Sequence, residues 1–180
     1  MISNWRDSDV VSQERHGRIL DDLHYYAELA GIRPEFFWQP LSEFENVAFE
    51  RKYLERFDHV AKKGLMYTGK YVPAIGPDVT DRMQIIAGCM MRNFVDARVR
   101  NRAYLDQDGV QECTVLLIPD LFMGVERMTG PERSAIASLL ALRQSRSLQT
   151  VVYISNVPAF SQTCGEAAGD IVSAYLEVHL

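Results

Sequence analysis

Two unbroken apolar runs constrain the fold of this chain more than anything else in it: "TVLLIP", Thr114 to Pro119, and "QTVVYISNVP", Gln149 to Pro158. Neither alternates apolar with polar residues, so neither suits a sheet with one face in water. A strand without polar positions needs cover on both faces, which is the situation of parallel strands between helical layers. Between the runs lies "GPERSAIASLLALRQSR", a helical pattern opened by Pro131. Proline is tolerated there because the first-turn N–H has no intrahelical partner to lose. Strand, helix and strand in this order predict a parallel α/β sheet covered on both faces.

The flanking sequence extends that pattern. "GLMYTGKYVPAI" reads as a strand running into a loop, and "TDRMQIIAGCMMRNFV" as a helix. Thr80 is its expected cap, and Met83, Ile86, Ala87, Met90 and Met91 form its apolar side. "VDARVRNRAYL" alternates, with Val95, Ala97 and Val99 opposite Asp96, Arg98, Arg100 and Arg102. Such a half-exposed strand belongs nearer a sheet edge, whereas "LMYTG", "TVLLI" and "TVVYIS" should be central. Its arginines should then point away from the core, so that replacing Arg98, Arg100 and Arg102 together would leave folding intact.

Upstream, "ERHGRILDDLHYYAELAG" predicts one helix stopped at Gly31, followed by an aromatic connector, "IRPEFFWQPLSEF". Pro34 and Pro40 exclude regular helix there. Phe36, Phe37 and Trp38 would pin the connector to the core or, if exposed, anchor a protein partner. "ENVAFERKYLERFDHVAKKG" returns to helix, with Val47, Tyr53, Leu54, Phe57 and Val60 available for burial. A last helix, "GEAAGDIVSAYL", and a short strand in "LEVHL" end the chain. Residues 1–40 thus read as an N-terminal helix and connector, and 41–180 as the α/β domain.

Bulk chemistry removes some functions. With 180 residues, 47% hydrophobic and 24% charged, the chain is long enough for a proper core. A net charge of −5 argues against nucleic-acid binding over the whole surface but permits a local basic patch. No apolar run approaches the ~20 residues that span a bilayer. The start, "MISNWRDSDVVSQERHGR", is polar and acidic, which is unlike a signal peptide and points to the cytoplasm. Cys89, Cys113 and Cys164 lack ligand spacing and read as thiols of a reducing compartment. His16, His24, His59 and His179 are scattered, so a zinc site is not expected, and Ser155 has no nucleophile-elbow context.

The order of strand, loop, helix, Arg-bearing strand, "LLIPDL", helix and "TVVYISNVP" resembles the ATPase core of bacterial helicase loaders and transposition helpers of the DnaC/IstB type, in the AAA+ class. The connector "GIRPEFFWQPLSEFE" is similar to the one those proteins carry upstream, so the resemblance runs from about Gly31 to the C-terminus. It implies a three-layer, P-loop-type (AAA+, RecA-like) α/β fold with a parallel sheet and N-terminal helices. It also implies a site whose residues can be sought one by one.

A phosphate loop needs glycines, whose backbone N–H groups wrap the phosphates, then a lysine and a Ser/Thr for magnesium. The best match is "GPDVTDRM": Gly76, Pro77 and Thr80 fit, Val79 and Asp81 stand at glycine positions, Arg82 replaces the lysine and Met83 the magnesium ligand. Asp78 and Asp81 would repel a triphosphate. "TGKYVP", with Lys70, lacks the second glycine. At the acidic motif the metal-holding position is Pro119, which has neither side-chain oxygen nor N–H, and only Asp120 is acidic. Asn156 in "YISN" matches the residue that senses the terminal phosphate, although Asn after a strand is also a common turn former. Ala167 and Ile171 fall where arginines acting on nucleotide would stand.

The resemblance therefore implies a member without catalysis, cofactor or metal, binding a helicase or ATPase of a replication or transposition system. The N-terminal helix, Glu14 to Ala30, is the expected grip. Single-stranded DNA is a further candidate ligand, through Arg92, Arg98, Arg100 and Arg102, with edge protection as the alternative role for that charge. Oligomerisation is left open. The competing function is an unusual ATPase using Arg82 and Asp120 and completed by a partner subunit. A third alternative is an unrelated α/β protein with its site at the strand C-termini.

Overall fold

The computed structural model describes residues 13–41, 48–55, 57, 64–69, 78–124 and 127–180. Helices α1 (Gln13–Asp21), α2 (Leu23–Ala30), α3 (Pro34–Phe37) and α4 (Ala48–Glu55) precede strand β1 (Gly64–Thr68). Helix α5 (Val79–Arg92), β2 (Ala97–Val99), a 3₁₀ turn (Arg102–Tyr104), β3 (Val115–Phe122) and α6 (Gly130–Ser145) follow. The chain closes with β4 (Gln149–Ile154), α7 (Val157–Cys164), α8 (Glu166–Ser173) and β5 (Leu176–His179).

The five strands form one sheet in the order β2-β3-β4-β1-β5, and every pairing is parallel. As their apolar runs predict, β1, β3 and β4 are interior and β2 lies at an edge. The alternating segment is shorter as a strand than its pattern: only Ala97–Val99 pairs, and the chain then turns at Arg102–Tyr104.

Successive strand residues feed opposite cores. Leu65, Tyr67, Val115, Leu117, Val151 and Tyr153 join a cluster with α5 and the N-terminal helices. Met66, Leu116, Ile118, Val152 and Ile154 join a second cluster with α6, α7 and α8. The sheet is therefore sandwiched, and α5 is enclosed nearly all round. Ile19, Ala27 and Phe37 share the first cluster with β1 and α5, so the N-terminal helices are packed onto the sheet rather than beside it. No described helix is long and apolar enough to cross a membrane.

Several local expectations change. The single N-terminal helix is two, broken at Asp22, whose backbone (φ −137°, ψ 51°) leaves the helical region. The connector contains one helical turn, because Pro34 occupies a first-turn position, where its ring φ suits a helix. Asp78, not Thr80, caps α5: its carboxylate accepts from the Thr80 N–H at 3.2 Å. Strand β3 runs through Pro119 to Phe122 with a register irregularity between Ile118 and Phe122, the bulge that lets a proline sit inside a sheet. A capping box of Thr129 and Glu132 opens α6. Helix α7, absent from the sequence expectation, is capped by Asn156. Tyr53, Leu54 and Phe57 are buried as expected, whereas Val47 and Val60 lie outside the described residues.

Candidate functional site

Chain direction determines where a ligand would sit in such a sheet. From β1 the chain passes through α5 to β2 at one edge; from β4 it passes through α7 and α8 to β5 at the other. These connections lie on opposite faces, so the C-terminal ends of the adjacent strands β1 and β4 flank a point where the topology divides. Crevices at such points are the usual ligand positions of open parallel sheets. Thr68 and Gly69 stand on one side, Ser155 and Asn156 on the other, and the Tyr153 hydroxyl donates across to the Gly69 carbonyl at 2.9 Å.

Gly76, Pro77 and Lys70 lie outside the described residues. Thr80 is in the first turn of α5, half-buried, and Val79 and Met83 are buried in the core. Asp81 pairs with Arg33 of the connector at 2.8 Å on the surface. Arg82 turns inward. Its Nη1 lies 2.7 Å from Oε1 of Glu50, a residue of α4 with no exposed surface, and the Tyr67 hydroxyl donates to that same oxygen at 2.9 Å. Burial, reinforced by the Glu50 charge, holds the Tyr67 hydroxyl well above the usual phenol range. Arg82 is thus engaged by an internal carboxylate.

Asp120 is engaged too. Pro119 is buried within the bulge, and Asp120 is half-buried and accepts from the Arg102 backbone N–H at 2.7 Å. Its carboxylate anchors the turn that follows edge strand β2. Asn156 accepts from the Ala159 N–H at 2.9 Å, which is the turn-forming role open to it from sequence. On α8, Ala167 is exposed and Ile171 buried.

The four arginines do not make one basic face. Arg92 is 2% exposed, and its Nη1 donates to the Phe37 carbonyl. Arg98 makes a forked contact with Asp96 (Nε 3.0 Å, Nη2 3.2 Å). Arg100 donates to the carbonyls of Val99 (2.7 Å) and Leu29 (2.9 Å), tying the end of α2 to the sheet edge. Burial lowers its pKa, with Arg98 adding to the effect. Arg102 borders a groove of about 610 Å³ between the 3₁₀ turn and α6, floored by Leu105, Ile136, Leu139 and Leu142 with Glu132 at the rim. As the alternation predicts, Arg98, Arg100 and Arg102 are kept off the core, each half-buried where Ala97 and Val99 are buried, yet Arg98 and Arg100 bond the protein itself. Arg98, within the three-residue strand, bonds the Asp96 carboxylate, and Arg100, just beyond it, bonds the carbonyls of Val99 and Leu29.

Phe37 is fully buried, and Phe36 and Trp38 are partly buried against the same core, so the connector aromatics act as pins. His16 is enclosed between Trp38 and Phe94, with Nε2 3.1 Å from the Arg92 carbonyl oxygen. The cysteines are buried thiols, and burial pushes that of Cys113 up despite the neighbouring Arg143. Among the described residues no group of His, Cys, Asp and Glu side chains converges to hold a metal ion. Glu50 and Tyr67 are not candidates from sequence. Glu50 precedes Tyr53 and Leu54 by three and four positions in "AFERKYLE", so it shares their helix face, and an acid on an apolar face is the available signal.

No family model matches the chain, and no curated protein matches it.

Proposed function

We propose that this chain is an interaction protein built on the ATPase-type fold of DnaC/IstB-like helicase loaders, with nucleotide hydrolysis lost. The observation that carries the proposal is the disposition of Arg82 and Asp120. In the resemblance to those loaders they answer to the phosphate lysine and the second acid, and in this chain they are engaged by Glu50 and by the Arg102 backbone. A P-loop-type reading is further supported by the all-parallel order β5-β1-β4-β3-β2, which divides beside the strand that would carry the phosphate loop.

The partner is a protein of a replication or transposition system, gripped by α1 and α2. Leu20 and Tyr25 are exposed on these helices (37% and 55%), as are Glu14, Arg18, His24 and Glu28, and exposed apolar side chains are the usual anchors of a protein contact. Single-stranded DNA is a weaker candidate, because Arg92, Arg98 and Arg100 already bond the protein itself.

The proposal is tested by assaying phosphate release from wild type and from Pro119→Asp, alone and with a replicative helicase. Background turnover in both, together with helicase binding that is lost in Leu20→Asp/Tyr25→Asp, is the expected result. Hydrolysis abolished by Asp120→Ala would reject it, and turnover restored only by the partner would favour a shared site.

A further inference from the structure

We propose that Arg82 and the Tyr67 hydroxyl form a site for a small oxyanion, carboxylate or phosphate, and that this protein keeps the site filled with its own Glu50. The inference rests on reading the β1–α5 junction as the former phosphate site.

Tyr67 is the penultimate residue of β1, and Arg82 lies in the first turn of α5. Their donor groups meet inside the fold, between β1 and the first turn of α5, with Tyr67 fully buried and Arg82 nearly so. Glu50 is brought there by α4, an element from the N-terminal side of the sheet core. Both donors converge on one of its oxygens, Oε1. The other, Oε2, is buried and has no hydrogen-bond partner among the described residues. A side chain placed only to satisfy Arg82 would gain most from a fork, one oxygen per donor. The observed arrangement is instead two donors from different elements, β1 and α5, meeting on one oxygen of a side chain that a third element, α4, supplies. Removing a buried ion partner is strongly unfavourable, so a free oxyanion enters only where Glu50 has left.

Truncation to alanine removes Cγ, Cδ and both carboxylate oxygens of Glu50, which is the heavy-atom set of acetate. The test is thermal unfolding of wild type, Glu50→Ala and Glu50→Ala/Arg82→Met in acetate, in inorganic phosphate and in chloride at matched ionic strength. We expect the wild type to unfold at the same temperature in all three. Glu50→Ala should gain about 4 °C in acetate or phosphate at ten times the dissociation constant. The double variant should lose that gain. Acetate alone being effective identifies a carboxylate-sized site, and phosphate being the stronger identifies a phosphate-sized one.

Equal unfolding temperatures for Glu50→Ala in all three salts would overturn the proposal, as would an undiminished gain in the double variant. Should Glu50→Ala not fold in chloride, refolding in acetate or phosphate decides the same question: recovery supports the site, and no recovery overturns it. Failure of this rescue while wild type still ignores ATP would remove the internal anion alone. Tight ATP binding by wild type would remove the functional reading and leave the rescue result standing.

Discussion

Replacing Arg100 with alanine separates the two roles open to the basic edge. The guanidinium donates to Leu29 at 2.9 Å, across the junction of α2 and β2, and to its neighbour Val99 at 2.7 Å. A charged donor to a carbonyl contributes roughly 1.5–3 kcal/mol when buried. Here the group is half-exposed, so solvent screening reduces each bond to about 1 kcal/mol. Gly31 sits beside this contact with φ +67°, and a Cβ there would meet Arg100 Nη1 and the Val99 carbonyl, so the contact is closely fitted. The total loss is about 2 kcal/mol for the two bonds together. With a urea m-value of about 2 kcal/mol per molar, the unfolding midpoint should fall by about 1 M. Equilibrium urea unfolding followed by tryptophan fluorescence measures this, since Trp38 is packed against the same core. Arg100→Lys should recover about half, having a donor but no fork. An unchanged midpoint in Arg100→Ala would refute the tether. A flattened salt dependence of DNA binding by about one unit would then assign this arginine to phosphate contact.

Arg143 has no exposed surface and donates to the carbonyls of Val110, Cys113 and Gln149 and to the Thr150 hydroxyl. Arg143→Met keeps the stem but orphans these acceptors, and should cost about 3–5 kcal/mol in urea unfolding; a loss under about 1 kcal/mol would show that water replaces the guanidinium. Burial raises the pKa of Tyr53, Tyr67 and Tyr175 above the ordinary phenol value. Above about pH 10 the unfolded chain releases these protons while the folded one retains them, so stability is full below that pH and falls as it rises further. Midpoints measured from neutral to alkaline pH should show this decline, and ultraviolet titration in which every native tyrosine ionises near pH 10 would contradict it.

The sheet is legible in the sequence because continuous apolar runs permit few other folds. "TVLLI" and "TVVYI" are satisfied only between two layers, and the alternation of "DARVR" places that segment at an edge. Its fine structure is not legible, because β2 ends where Asp120 captures the Arg102 N–H, a contact 18 residues apart in sequence. Asn156 is open to a turn-forming role from sequence, and it takes a local one as the cap of α7, a helix that the sequence pattern does not predict. The alternation keeps Arg98 and Arg100 off the core, but periodicity reports the face of a strand and not what backbone passes beside it, so the Arg100 bond to Leu29 is not legible. Glu50 and Arg143 are hidden for a related reason: charged residues are usually exposed, and burying one requires partners that only the tertiary structure supplies.

Titration calorimetry of wild type with ATP and magnesium tests the proposed loss of nucleotide chemistry most directly. A triphosphate brings about four negative charges, which magnesium, backbone N–H groups and a lysine must offset. With Arg82 held by Glu50, and with Pro119 at the position where the proposed reading expects a metal ligand, affinity should be no better than about millimolar. Magnesium-dependent binding in the micromolar range would contradict the proposal that this fold has given up its ATPase.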